Sequence, residues 1–141
     1  MSELRKLTDN DYDEYLSVIN EFRPTFFTKD QFVETLKYVS AYSEIWVMSV
    51  DGAMVATGTI IYERKYIFNN DCLAHIEDVC VVEKCRKKGY GKDIVTKLMT
   101  RAKEHGCYKV TLDCNISNSP FYEKCGLEQR GVQMSQLTNN Y

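Results

Sequence analysis

Long apolar runs are missing. Nothing in the 141 residues approaches the roughly 18 uninterrupted apolar positions of a membrane helix. The opening "MSELRKLTDNDYDEY" lacks the apolar core of a secretory signal. Both absences predict a cytoplasmic protein that meets no membrane. A basic excess is missing too: Lys and Arg number 18 against 20 Asp and Glu, for a net charge of −2. A dedicated nucleic-acid binder would be basic overall, so no nucleic-acid partner is expected. Repeats, low-complexity runs and linkers are absent, so residues 1–141 read as a single domain with one core. No two of the six cysteines form a C-x-x-C pair, which leaves a zinc site without a scaffold, and no metal is expected. Without a secretory signal, the cysteines read as reduced thiols, several of them buried.

What is present is an alternation of strand and helix patterns. Residues 3–7 alternate like a short strand. Residues 8–22 bring capping residues and an amphipathic helix, and 28–39 open with a T-x-x-Q capping box that marks a second helix. Residues 45–50 and 53–63 flank Asp51-Gly52, a tight hairpin turn. After the turn "NND" (69–71) comes a long strand over 72–82. A helix over 89–105 follows, with Ile94, Val95, Leu98, Met99 and Ala102 on one stripe and Gly106 placed to end it. Residues 107–114 read as a strand, 119–125 as a short helix stopped by Gly126, and 128–137 as a final strand. The order β-α-α-β-β-β-α-β-α-β describes an α/β chain with an antiparallel front half. Its one βαβ unit, 72–82 to 107–114, should pair in parallel.

The junction "CRKKGYGK" (85–92) carries the first chemistry. A helix start leaves free N–H groups and the positive end of the dipole pointing outward. Gly89 and Gly91 let that backbone approach an anion, and Arg86, Lys87, Lys88 and Lys92 add charge. This is a phosphate-binding turn. It is neither G-x-x-x-x-G-K-[ST] nor G-x-G-x-x-G, so it belongs to no P-loop and no dinucleotide fold.

"VCVVEKCRKKGYGKDIV" resembles the R-x-x-G-x-G acyl-CoA loop of the GNAT N-acetyltransferase superfamily. "HIEDVCVV", "YERKYI" and "GCYKVTLDCNISNSPFYEKCGLEQRGVQM" are similar to its glucosamine 6-phosphate N-acetyltransferases in particular. The resemblance implies a GNAT fold, with a mixed central sheet flanked by helices. It implies acetyl-CoA as co-substrate, D-glucosamine 6-phosphate as acceptor, and a homodimer built on the last strands and the region after 53–63. The product is N-acetyl-D-glucosamine 6-phosphate, on the route to UDP-N-acetylglucosamine. The backbone of Val79, Cys80 and Val81 is expected to face the pantetheine arm. Arg86, Lys88, Gly89, Tyr90, Gly91 and Lys92 are expected to hold the pyrophosphate, and Asn118 to touch the cofactor. Tyr122 is assigned to the departing thiolate.

The acceptor side needs other groups. An ammonium must lose a proton before it can attack. By the resemblance Asp113 binds and orients the amine, and Glu77 and Asp78 lie near the sugar. As neighbours on a strand, Glu77 and Asp78 should point to opposite faces. The 6-phosphate calls for a basic residue, with Arg64 and Lys65 as candidates and Arg23 as a further one. The end of the chain, "VQMSQLTNNY", lacks the basic residues that the family often carries there. His75 and His105 read as structural. Two alternatives stay open: a GNAT enzyme acting on another small amine or a protein amine, and a non-catalytic acyl-CoA-binding dimer module.

Overall fold

In the computed structural model, which describes residues 1–140, ten elements follow in order. They are β1 (Ser2–Lys6), α1 (Tyr12–Phe22), α2 (Lys29–Val39), β2 (Ser43–Val50), β3 (Ala53–Arg64), a single turn α3 (Ile67–Asn70), β4 (Cys72–Val81), α4 (Tyr90–Glu104), β5 (Lys109–Thr111) and α5 (Ser119–Lys124). The five strands form one sheet in sequence order. β1 to β4 pair antiparallel, and β4 pairs with β5 in parallel across α4. This is the α/β order expected up to α5, apart from the single turn α3, which stands where only a turn over 69–71 was expected.

Local chemistry explains several boundaries. Thr28 accepts from the Gln31 N–H while Gln31 accepts from the Thr28 N–H, so the capping box that starts α2 is complete. Asp51 and Gly52 both take positive φ (51° and 84°), the geometry of a two-residue hairpin turn that matches strand twist. Asp11 does not cap α1. Its carboxylate is held by two bonds from Arg5 at 2.8 Å and by the Thr8 N–H at 2.7 Å, and α1 begins one residue later.

The helices cover both faces of the sheet. On one face α4 buries Ile94, Val95, Leu98 and Ala102, four of the five residues of the expected stripe. Met99, the fifth, is partly buried. Gly58 of β3 makes this approach possible: a Cβ there would stand 2.6 Å from Ile94 Cγ2 and 2.9 Å from Leu98 Cδ1. On the other face α1 packs, with the Cys80 thiol 3.6 Å from the Val18 carbonyl. Cys80 sits opposite Thr57, the neighbour of Gly58, so the two faces follow from strand alternation.

Three expectations change. Residues 128–137 form no strand; Val132, Met134 and Leu137 are 85%, 87% and 73% exposed. Their alternation is real, but a strand forms only where an edge receives it, and β5 pairs over just three residues. That brevity is the second difference, since 107–114 was expected to be extended throughout. The third concerns Glu77 and Asp78. Asp78 takes φ +53°, and the β3–β4 register slips there, with Thr59 opposite Glu77 and Thr57 opposite Cys80. Gly58 thus faces two residues of β4, which is a bulge. Holding a non-glycine residue in this region costs about 1–3 kcal/mol. The bulge cancels the alternation: Asp78 lines the same groove as Thr59, the cross-strand partner of Glu77.

Candidate active site

The site begins where β4 and β5 part. Their pairing covers only Leu73–His75 against Lys109–Thr111, whereas β4 continues to Val81. Beyond His75 the β5-side edge of β4 has no strand partner among the described residues. Such an edge presents N–H and C=O groups to any extended chain laid beside it.

β4 then leads into the glycine turn. Lys87 and Gly89 both adopt left-handed φ, 65° and 88°. Gly89 is the N-cap of α4, and no side chain caps this helix. The first intrahelical bond runs from the Asp93 N–H to the Gly89 carbonyl at 3.1 Å. The N–H groups of Tyr90, Gly91 and Lys92 are therefore the orphan donors of the helix start. The Arg86 Nε donates to the Val81 carbonyl at 3.1 Å, which pins the turn to the end of β4. At the same junction the Glu83 N–H donates to Glu21 of α1 at 2.8 Å.

α5 forms the other wall. Pro120 sits in its first turn and Gly126 follows its end. Asn118 occupies the N-cap position but makes no side-chain cap bond, so its amide is free to serve the cleft. Between these walls lies a cleft of about 660 Å³. It gathers Val79, Cys80, Val81, Arg86, Gly89, Tyr90, Gly91, Lys92, Asn118 and Tyr122, all singled out from the sequence. Lys88 belongs to the turn but not to the cleft wall. Phe22, Cys85, Lys87, Phe121 and Lys124 complete the lining. Of these, Lys87 was named as loop charge, while Phe22, Cys85, Phe121 and Lys124 were missed as site residues. The signal for Phe22 was an aromatic residue at a helix end with nothing downstream to cover it; it is 46% exposed. Lys124 lies one helical turn past Phe121, on the same side.

None of the three carboxylates singled out, Glu77, Asp78 and Asp113, lines this cleft. Burial pushes the Glu77 carboxyl up, and the neighbouring charges of Asp113 and Asp78 push it further. Loss of hydration also pushes Asp78 up, and burial, with the Asp78 charge adding to it, raises Tyr15 across the groove. That groove, about 400 Å³ between α1, α2 and the sheet, is mostly apolar. Asp113 is exposed and accepts a 2.7 Å bond from the Gln133 amide. Tyr122 is half-buried, and burial raises its hydroxyl above the ordinary tyrosine range.

The basic candidates lie elsewhere in this chain. Arg64 pairs with Cys72 in the sheet, five residues before Glu77 and so about 17 Å along β4. It donates to the Asn70 carbonyl at 3.1 Å, and Lys65 lies 3.5 Å from Glu63. His75 bonds Glu63 at 2.9 Å, and His105 stacks on Tyr62 at 3.8 Å, which are packing roles. All six cysteines are free.

The cleft fits one class of ligand. A free strand edge suits an extended, amide-bearing arm. The uncapped helix start, backed by cations, suits a diphosphate. Gly91 lets the α5 wall close on the helix start, since a Cβ there would stand 3.2 Å from Phe121 Cζ and 3.5 Å from Val81 Cγ2.

Comparison with known proteins agrees with this geometry. Residues 9–127 match the family model described as "Acetyltransferase (GNAT) family". The chain is 36% identical over 137 residues to Glucosamine 6-phosphate N-acetyltransferase 1 of Dictyostelium discoideum, covering 93% of this chain and 87% of that one. It is 37% identical over 136 residues to the Glucosamine 6-phosphate N-acetyltransferase of Candida albicans, covering 92% and 91%. The crystal structure of glucosamine-6-phosphate N-acetyltransferase from Arabidopsis thaliana superposes with a TM-score of 0.94 at 33% identity, over 99% of both chains. With the parted strands, the uncapped helix start and these matches in agreement, the chain belongs to the GNAT acetyltransferase family.

Proposed function

We propose that this protein, read as one catalytic domain over residues 1–141, transfers the acetyl group of acetyl-CoA to the amine of D-glucosamine 6-phosphate. The products are N-acetyl-D-glucosamine 6-phosphate and CoA. The observation that carries the reading is the continuity of the free β4 edge with the uncapped start of α4. The names of the relatives supply the acceptor.

Each residue then has a task. The backbone of Val79 to Val81 pairs with the pantetheine arm. The amides of Tyr90, Gly91 and Lys92, with Arg86 and Lys88 nearby, hold the pyrophosphate. Asn118 touches the arm. Asp113 binds and orients the amine, with Glu77 and Asp78 beside the sugar. The amine attacks the thioester directly in a ternary complex. Tyr122, whose hydroxyl keeps its hydrogen at neutral pH as any tyrosine does, donates to the departing thiolate. The acting unit is a cytoplasmic homodimer in which exposed Val132, Met134 and Leu137 find a partner edge. Arg64 or Lys65 would reach the sugar phosphate only across such an interface, given their distance from Glu77 along β4.

A second reading, a GNAT enzyme for another amine, draws on that same separation. One experiment divides the two. A panel of amine acceptors is offered with acetyl-CoA, and thioester loss is followed directly by ultraviolet absorbance. Glucosamine 6-phosphate should far outpace unphosphorylated glucosamine, because remote binding energy orients the amine. Equal rates on both sugars, or turnover only on a peptide amine, would select the second reading.

A further inference from the structure

The cleft carries more positive charge than a pyrophosphate calls for. Arg86, Lys87, Lys92 and Lys124 all line it. Among the described residues none of the four is in an ion pair. A pyrophosphate diester carries two negative charges, and the orphan amides of α4 already face it. CoA has a third phosphate, a monoester on the ribose 3′ position, worth about −1.5 to −2 at neutral pH. Four cations therefore match the whole ligand and exceed its pyrophosphate.

Position separates the four. Arg86, Lys87 and Lys92 belong to the turn and the first turn of α4. Lys124 alone comes from α5, the opposite wall. It sits one helical turn beyond Phe121, whose ring lies against Gly91. The two walls are close here: the Lys92 charge holds back the rise that burial imposes on the Cys125 thiol, next to Lys124. We infer that Lys124, with Lys92 across from it, receives the 3′-phosphate and sets a preference for CoA over its 3′-dephospho form. The inference rests on the acetyl-CoA reading above.

Calorimetry with CoA and 3′-dephospho-CoA tests it, on the unaltered protein and on Lys124→Gln, with a thermal melt to show that the variant is folded. The unaltered protein should bind CoA about tenfold more tightly than the dephospho form, the size of one charge-assisted contact. Lys124→Gln should erase most of that gap by weakening CoA alone. Added salt should narrow the gap in the unaltered protein and leave the variant nearly unmoved. Equal affinity of the unaltered protein for both ligands would overturn the inference and leave the acetyl-CoA reading intact. Equal weakening of both ligands in the variant would also overturn it, placing Lys124 on a part they share. An unaltered protein that binds neither ligand overturns both statements.

Discussion

Gly91 of α4 and Phe121 of α5 touch across the mouth of the cleft, with 3.2 Å between the ring's Cζ and the place a Cβ on Gly91 would take. Gly91→Val should therefore crowd the aromatic wall and push the helix start away from its anion. Acetyl-CoA affinity by calorimetry should fall about tenfold or more, with the far-ultraviolet circular dichroism unchanged. Gly89 differs: nothing lies within 4 Å of its would-be Cβ, but its φ is +88°. Gly89→Ala should act through backbone strain, costing about 1 kcal/mol of stability along with affinity. A folded Gly91→Val protein with native affinity would remove the turn from the cofactor site.

Tyr122→Phe deletes one oxygen from a half-buried ring that meets Phe121 edge-on at 4.9 Å. If the hydroxyl serves the leaving thiolate, kcat should fall about 100-fold while acetyl-CoA affinity stays within twofold. Retention of full turnover would return Tyr122 to packing alone.

Glu44 ties β2 to the far end of α4. Arg101 grips it with two bonds of 2.9 and 2.7 Å, Trp46 Nε1 donates at 2.9 Å and Lys6 stands 3.3 Å away. The Arg101 guanidinium, more than any other neighbour, lowers the Glu44 carboxyl from 4.5 to about 2. The folded value lies below the unfolded one, so this contribution is complete above about pH 5. It fades as pH falls from there toward 2. Denaturant melts of Glu44→Gln should show a loss on the order of 2 kcal/mol at pH 7. The gap from the unaltered protein should shrink steadily below pH 5. A gap that does not change with pH would show that the pair's effect is steric.

The tail should report on assembly. Light scattering at micromolar concentration should give twice the 16.4 kDa chain mass. Truncation after Leu127, which keeps the core-packed residues and removes Val132, Met134 and Leu137, should return a monomer. A full-length monomer would contradict the dimer and any phosphate contact across it.

Much of this architecture could be read locally. The capping box at Thr28, the Asp51-Gly52 turn and the α4 stripe are decided by residues a few positions apart, and all three formed as read. The cleft wall from Val79 to Lys92 was legible because one short motif builds it. The bulge at Asp78 was not. Nothing in "HIEDV" marks a left-handed residue; the register slips against a residue across the sheet, Gly58, which two residues of β4 oppose. Lys124 and Phe22 escaped for a related reason, since they join the cleft only once α5 and α1 have docked. The final strand failed in the opposite sense: its alternation is local, but no edge of the five-stranded sheet receives it.

The free edge of β4 also makes stability a matter of mass action. A ligand that completes an unfinished ladder binds the folded chain and not the unfolded one. At a concentration 100 times its Kd it adds about 2.7 kcal/mol to folding. The protein should therefore melt at a temperature set by its ligand supply. Those amides between Ile76 and Val81 that point away from β3 should exchange slowly with solvent only while that supply lasts. The opening between β4 and β5, which looks like a gap in the sheet, is where folding and occupancy become one equilibrium.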